Sequence, residues 1–171
     1  MAATPRPGFF PALLFLGLLI LPWRTAAGAE EGGGWVHLNG YSHHLNAANA
    51  NGHLWGLGFT WPVKPYGSPA TAWEGDVFRD SGRKLSAYVG HSWTWPLGRF
   101  AGVGITGAIM HHRNFAKYNA ASLMPVGLPY LETKGRALRW RVYYIPPVRS
   151  PSDRQVAVQL MVRWGRSLDR R

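Results

Sequence analysis

The chain has 171 residues, 46% of them hydrophobic by type, with 21 glycines, nine tryptophans and a formal net charge of +11. It contains no cysteine, which excludes a disulfide framework and thiol chemistry. It also lacks a zinc-ligand set, a helix-turn-helix pattern and a dense Lys/Arg block, so the positive charge points to anionic lipid surfaces rather than to nucleic acid.

The first segment reads as a targeting sequence. Arg6 precedes an apolar run from Phe9 to Leu21, which contains Pro11 and is short for a membrane helix of roughly 20 residues. Ala27-Gly28-Ala29 supplies the small-x-small pattern of a signal peptidase site. The expectation is a signal peptide over residues 1–29 and a single domain over 30–171. Cleavage would remove Arg6 and Arg24 but no acid, so the exported domain stays strongly basic.

From residue 35 onward the pattern is that of strands. Turn signals recur at short intervals, and apolar residues alternate with small or polar ones. In HLWGLGFTW, Trp55, Leu57, Phe59 and Trp61 oppose Leu54, Gly56, Gly58 and Thr60. In RFAGVGITGAI, Ala101, Val103, Ile105 and Ile109 oppose Gly102, Gly104, Thr106 and Ala108. Leu138, Trp140, Val142 and Tyr144 alternate with Arg139 and Arg141, and Val156 to Trp164 with Gln155, Gln159 and Arg163. The expected strands are 35–44, 53–62, 70–79, 85–96, 99–111, 122–132, 136–146 and 154–164. Eight strands, each about ten residues long, suit a tilted membrane-spanning barrel. VKPYGSP, PLGR and TKGR are expected as short turns at one end, with RDSGRK and HLNAANANG at the other and a longer connection over 146–153.

Alternation alone leaves the direction of the apolar face open. A secreted lipocalin-like carrier would turn it inward around a ligand. A membrane barrel would turn it outward and place aromatic residues near the strand ends, where Trp61, Trp73, Trp95 and Trp164 lie. Arg139, Arg141, Arg163, Gln155 and Gln159 would then occupy the lumen. The expected class is all-β: an eight-stranded antiparallel transmembrane β-barrel.

Several strings resemble the outer-membrane lipid A palmitoyltransferases (PagP-type enzymes), small eight-stranded barrels. Trp55-Gly56-Leu57-Gly58-Phe59 is similar to the family's aromatic-flanked Gly run on the second strand. Phe78-Arg79-Asp80-Ser81 resembles its phenylalanine–basic–Asp–Ser motif at the top of the third. GHSWTW resembles its fourth strand, LMPVGLP its proline-punctuated sixth and YYIPP the end of its seventh, so the likeness covers roughly residues 35–164. The family's active sites join a first-strand His to the Asp-Ser pair, and an ungapped count lands on His37. The resemblance therefore implies catalytic roles for His37, Asp80 and Ser81, with no metal and no cofactor.

It also implies a phospholipid acyl donor, a lipid A acceptor and placement in the outer membrane of a Gram-negative bacterium. In the family the lumen holds the acyl chain, and lipid passes through openings between strands next to prolines; Pro125 and Pro146 are the candidates here. Ser92 falls where the family's chain-length ruler has a Gly, which implies an acyl chain shorter than palmitoyl. Two features depart from the family pattern. Its amphipathic N-terminal helix has no counterpart between Glu30 and Gly34, and GRSLDRR continues beyond Trp164.

The chemistry needs a base for the acceptor hydroxyl and donors for the oxyanion. A His oriented by a carboxylate fits the base role. Ser81 is either a nucleophile or an orienting hydrogen bonder. Asp-Ser-Gly is equally a turn sequence, and Asp80 and Ser81 serve one site only if the strand has already broken there. If the first strand begins at Trp35, His37 lies at the opposite end from Asp80, about 25 Å away in a barrel of this height, and His43 or His44 would be nearer.

His111-His112-Arg113 resembles the MHHSN string of lipid A deacylases, but Arg113 replaces the required Ser. Arg113 and Lys117 suit lipid phosphates as charge-assisted donors. A metal site built from His43, His44, His111 and His112 is disfavoured, because adjacent strand residues face opposite ways and no acid is suitably spaced. The expected function is acyl transfer to lipid A. The alternatives are a non-catalytic structural or lipid-binding barrel and, behind it, a deacylase.

Overall fold

A computed structural model describes residues 33–45, 52–64, 68–80, 83–112, 122–146 and 154–165. The expected signal peptide, Ser81, Arg113, Lys117 and the tail after Gly165 lie outside them. The described residues form eight strands: β1 Gly34–His44, β2 His53–Lys64, β3 Ala70–Arg79, β4 Leu85–Leu97, β5 Ala101–His111, β6 Leu123–Thr133, β7 Leu138–Ile145 and β8 Gln155–Trp164. Each pairs antiparallel with the next, and β1 closes on β8 from Gly34↔Trp164 to His44↔Gln155.

The alternation therefore becomes a closed antiparallel barrel, with strand bounds within about two residues of those expected. One two-residue difference is at β5, which starts at Ala101 because Gly98, Arg99 and Phe100 form the preceding turn. Gly98 takes φ +66° there, a conformation that glycine adopts without a Cβ clash.

The apolar face points outward. Trp55 is 70% exposed and Leu57 59%, whereas Glu74, His37 and Thr106 on the inner face are fully buried. An arrangement with the apolar face inside, as in a lipocalin-like carrier, is thereby excluded for these strands. Two inner-face glycines make room for large polar neighbours. A Cβ at Gly58 would run into the Asp76 carboxylate, and one at Gly104 into the Tyr130 ring.

One irregularity resets the inner face of β1. The register on both sides shifts between Asn39 and Tyr41: against β8 Gly40 is the extra residue, whereas against β2 the step from Gly56 to His53 puts the extra residue on β2. Before this bulge the buried side chains are Trp35 and His37; after it, Ser42 takes the inner position.

Closure is uneven around the wall. β5 and β6 pair over eleven residue pairs, but among the described residues β6 and β7 pair over three, Tyr130↔Tyr143 to Glu132↔Arg141. Beyond Tyr130, towards the long connections, β6 carries Pro129 and Pro125, neither of which has an N–H to donate. There Tyr144 and Ile145 keep their β8 partners, and no further β6–β7 pair occurs among the described residues.

Candidate functional site

The strands place two polar clusters at different heights. The lower one fills the lumen towards the short turns. Arg141 on β7 donates from Nη1 to Glu74 Oε2 at 2.6 Å and from Nη2 to Glu132 Oε2 at 2.8 Å. Its guanidinium also lies over the Tyr130 ring, 4.1 Å from the centroid. Tyr143 Oη and Thr106 Oγ1 donate to the other oxygen of Glu74. One guanidinium thus bridges two buried carboxylates, and Arg139 Nη1 adds a second cation 3.6 Å from Glu132 Oε1.

His37 belongs to the same layer. Its Nδ1 lies 3.1 Å from Asp76 Oδ2, and its Nε2 contacts Thr60 Oγ1. Asp76 also accepts from Tyr88 Oη at 2.7 Å, Asn39 Nδ2 at 2.8 Å and Gln159 Nε2 at 3.2 Å. Thr60, His37 and Asp76 are arranged in the order of a nucleophile, base and orienting acid. All three are nevertheless enclosed, with His37 at 0% exposure and Thr60 at 4%. This layer acts as a cross-linked plug.

A buried apolar cluster adjoins the plug. It comprises Tyr88, Ala108, Met110, Leu128, Tyr130 and Tyr143, whose tyrosine hydroxyls reach Asp76, Thr94 and Glu74, with Phe78, Met124, Val126, Ile145 and Ala157 packed against it. The stretch of β6 that carries Pro125 and Pro129 runs alongside this region. Ser92 lies elsewhere: it is buried on the short-turn side of the plug, where its Oγ donates to Ala72 O at 3.4 Å.

The upper cluster sits at the long-connection end, around Asp80. Asp80 directly follows β3, and its backbone closes a turn through Asp80 N→Lys84 O at 2.9 Å and Arg83 N→Asp80 O at 2.8 Å. Arg83 takes φ 60° in that turn. The carboxylate divides its work. Oδ1 accepts the Lys84 amide at 2.8 Å, while Oδ2 faces His112 Nε2 at 2.9 Å and accepts from Ser86 Oγ at 3.4 Å. Asp80 is thus both a turn residue and a member of a polar site.

His112 follows β5 and is held by its own amide, which donates to Ser122 O at 3.0 Å. Burial lowers its pKa from the ordinary histidine value of 6.5, an effect that the Asp80 carboxylate partly offsets and that Lys84 and His111 reinforce. The neutral imidazole is therefore the form favoured at neutral pH. An Nε2–H directed at Asp80 would orient the imidazole, as a carboxylate does for a catalytic base.

Of the residues expected in one site, His37 and Asp80 are not brought together. His37 pairs with Asp76, four residues before Asp80 and so roughly 13 Å along the strand. His44 pairs with Gln155 in the β1–β8 ladder at the long-connection end. His112 is the residue that sequence reasoning missed as the partner of Asp80, although a signal was present. On β5 the inward residues are even-numbered and on β3 they include Glu74 and Asp76, so the same parity carries His112 and Asp80 inward at one end. No family model matches this chain, and no curated protein matches it.

Proposed function

We propose that this protein is an outer-membrane barrel that transfers an acyl chain from a phospholipid to lipid A, with His112 as the base and Asp80 as the residue that orients it. The observation that carries this reading is the Asp80–His112 pair at 2.9 Å, set at the long-connection end of the barrel near a buried apolar cluster. The outward apolar face and its exposed tryptophans suit a bilayer. Pro125 and Pro129, which lack an N–H for the ladder, mark where a lateral route for a lipid tail would lie.

In the transfer, His112 takes the proton from a hydroxyl of the acceptor as its oxygen bonds to the acyl carbonyl carbon. The bond from that carbon to the phospholipid's glycerol oxygen then breaks. The imidazolium returns the proton to that oxygen, leaving a lysophospholipid. Ser81, adjacent to Asp80, is a candidate nucleophile or orienting group in the same step. The Tyr88–Tyr143 layer would stop the chain roughly 13 Å below Asp80, four residues of strand, which favours chains shorter than palmitoyl. His37 stays in the plug and takes no part.

The test is mass spectrometry of lipid A from cells expressing the intact protein or its His112→Ala, Asp80→Asn and Ser81→Ala variants, with folding checked by heat-modifiable gel mobility. One added acyl chain, absent with His112→Ala, is expected. Loss of a chain instead would make the reaction hydrolysis. Unchanged lipid A with a folded, membrane-inserted barrel would overturn the enzymatic reading in favour of a structural or lipid-binding barrel.

A further inference from the structure

All four acids among the described residues, Glu74, Asp76, Asp80 and Glu132, are buried. The described surface therefore carries positive charge alone, and it does so at the ends of the barrel. At the short-turn end Lys64, Arg99, Lys134 and Arg136 are exposed. Arg79, Arg83, Lys84 and Arg154 are exposed at the other end, around the site already described.

The short-turn cations do not hang on independent loops. The β4–β5 turn and the β6–β7 turn are tied together by Lys134 N→Phe100 O at 2.7 Å, and Lys134 Nζ donates to Gly98 O at 3.2 Å. Arg99, Lys134 and Arg136 therefore belong to one hydrogen-bonded unit. Beside them Phe100 projects with 71% of its surface exposed, and the Arg99 guanidinium stacks over its ring at 4.4 Å. Such an aromatic ring gains by reaching hydrocarbon, while its cationic partner gains by meeting phosphate.

We propose that this turn pair is a binding surface for anionic phospholipid headgroups, with Phe100 set among the acyl chains and Arg99, Lys134 and Arg136 on the phosphates. The inference rests on the membrane placement of the proposed function but not on its chemistry. It assigns the short-turn end to a leaflet rich in singly charged phosphodiesters and gives the barrel a lipid preference independent of Asp80 and His112. Each cation near such a surface contributes about fivefold in affinity, and the effect weakens with salt.

The experiment uses the full barrel refolded into vesicles of phosphatidylcholine mixed with phosphatidylglycerol, one or the other brominated, with tryptophan quenching as the readout. Stronger quenching by brominated phosphatidylglycerol is expected, with the preference reduced in high salt. The Arg99→Gln, Lys134→Gln, Arg136→Gln variant should lose about fivefold or more of it, and Arg79→Gln, Arg83→Gln should lose less. Equal quenching by both lipids, or a preference that survives the triple substitution, would overturn the proposal. Failure of either brominated lipid to quench would instead overturn membrane placement itself, and neither result depends on lipid A being modified.

Discussion

Glu74 and Arg141 meet at 2.6 Å from strands that stand opposite one another in the barrel, four positions apart in a ring of eight. Their contact crosses the lumen and joins two walls that share no backbone hydrogen bond. Glu132 completes it from the strand next to Arg141, so that the plug is a triad of two carboxylates around one guanidinium.

Removing the cation should be costly. Arg141→Met leaves Glu74 buried without a cation and Glu132 with only the longer Arg139 contact, for which the expected loss is about 3–5 kcal/mol. Replacing all three residues with apolar ones of similar volume should recover much of it. Urea unfolding in detergent or lipid would measure both, and a single variant within about 1 kcal/mol of the parent would show that the triad is dispensable.

His37 and His112 should separate cleanly in function. His37→Asn breaks contacts to Asp76 and Thr60, and is expected to lower stability by about 1–3 kcal/mol while leaving acyl transfer by the remaining folded protein intact. His112→Asn should abolish transfer with little change in unfolding. Loss of transfer in folded His37→Asn would return the base role to His37.

The lowered pKa of His112 sets a pH profile. Acyl transfer should hold through neutral pH and fall on an acid limb centred below 6.5, since burial disfavours the imidazolium. In Asp80→Asn the offsetting carboxylate is gone, so the limb of any residual activity should move lower still. Stability follows the same linkage: the unfolded chain binds the proton at higher pH than the folded one. This contribution is therefore lost as pH drops from 6.5 towards the lowered folded value. A limb above 6.5 would contradict the burial argument.

Two glycine substitutions on neighbouring strands should differ sharply. Gly104→Ala directs a methyl group into the Tyr130 ring, with the Trp93 carbonyl 2.6 Å away, and should cost about 1–3 kcal/mol. Gly127→Ala meets nothing nearer than the Ile105 Cδ1 at 3.8 Å and should stay within about 0.5 kcal/mol of the parent. Comparison of their unfolding midpoints tests the inner-face packing directly.

The strands, their number and their two faces were legible in the residues themselves. Period-two alternation and turn chemistry act over a few neighbours, so Trp55 to Trp61 or Leu138 to Tyr144 display their faces without reference to the rest of the chain. The turn character of Asp80 was equally local. The meetings across the lumen were not. Which way the apolar face points is decided by closure of β1 on β8, and which heights coincide is decided by the registers summed around the ring. Gly40 adds one residue to β1 against β8 and reverses the parity beyond it. A difference of four residues, roughly 13 Å of strand, separates the Asp76 that holds His37 from the Asp80 that holds His112. Strand character is a short-range property, whereas side-chain partnership depends on every register between two strands. The first could be read from the chain alone; the second exists only in the closed barrel.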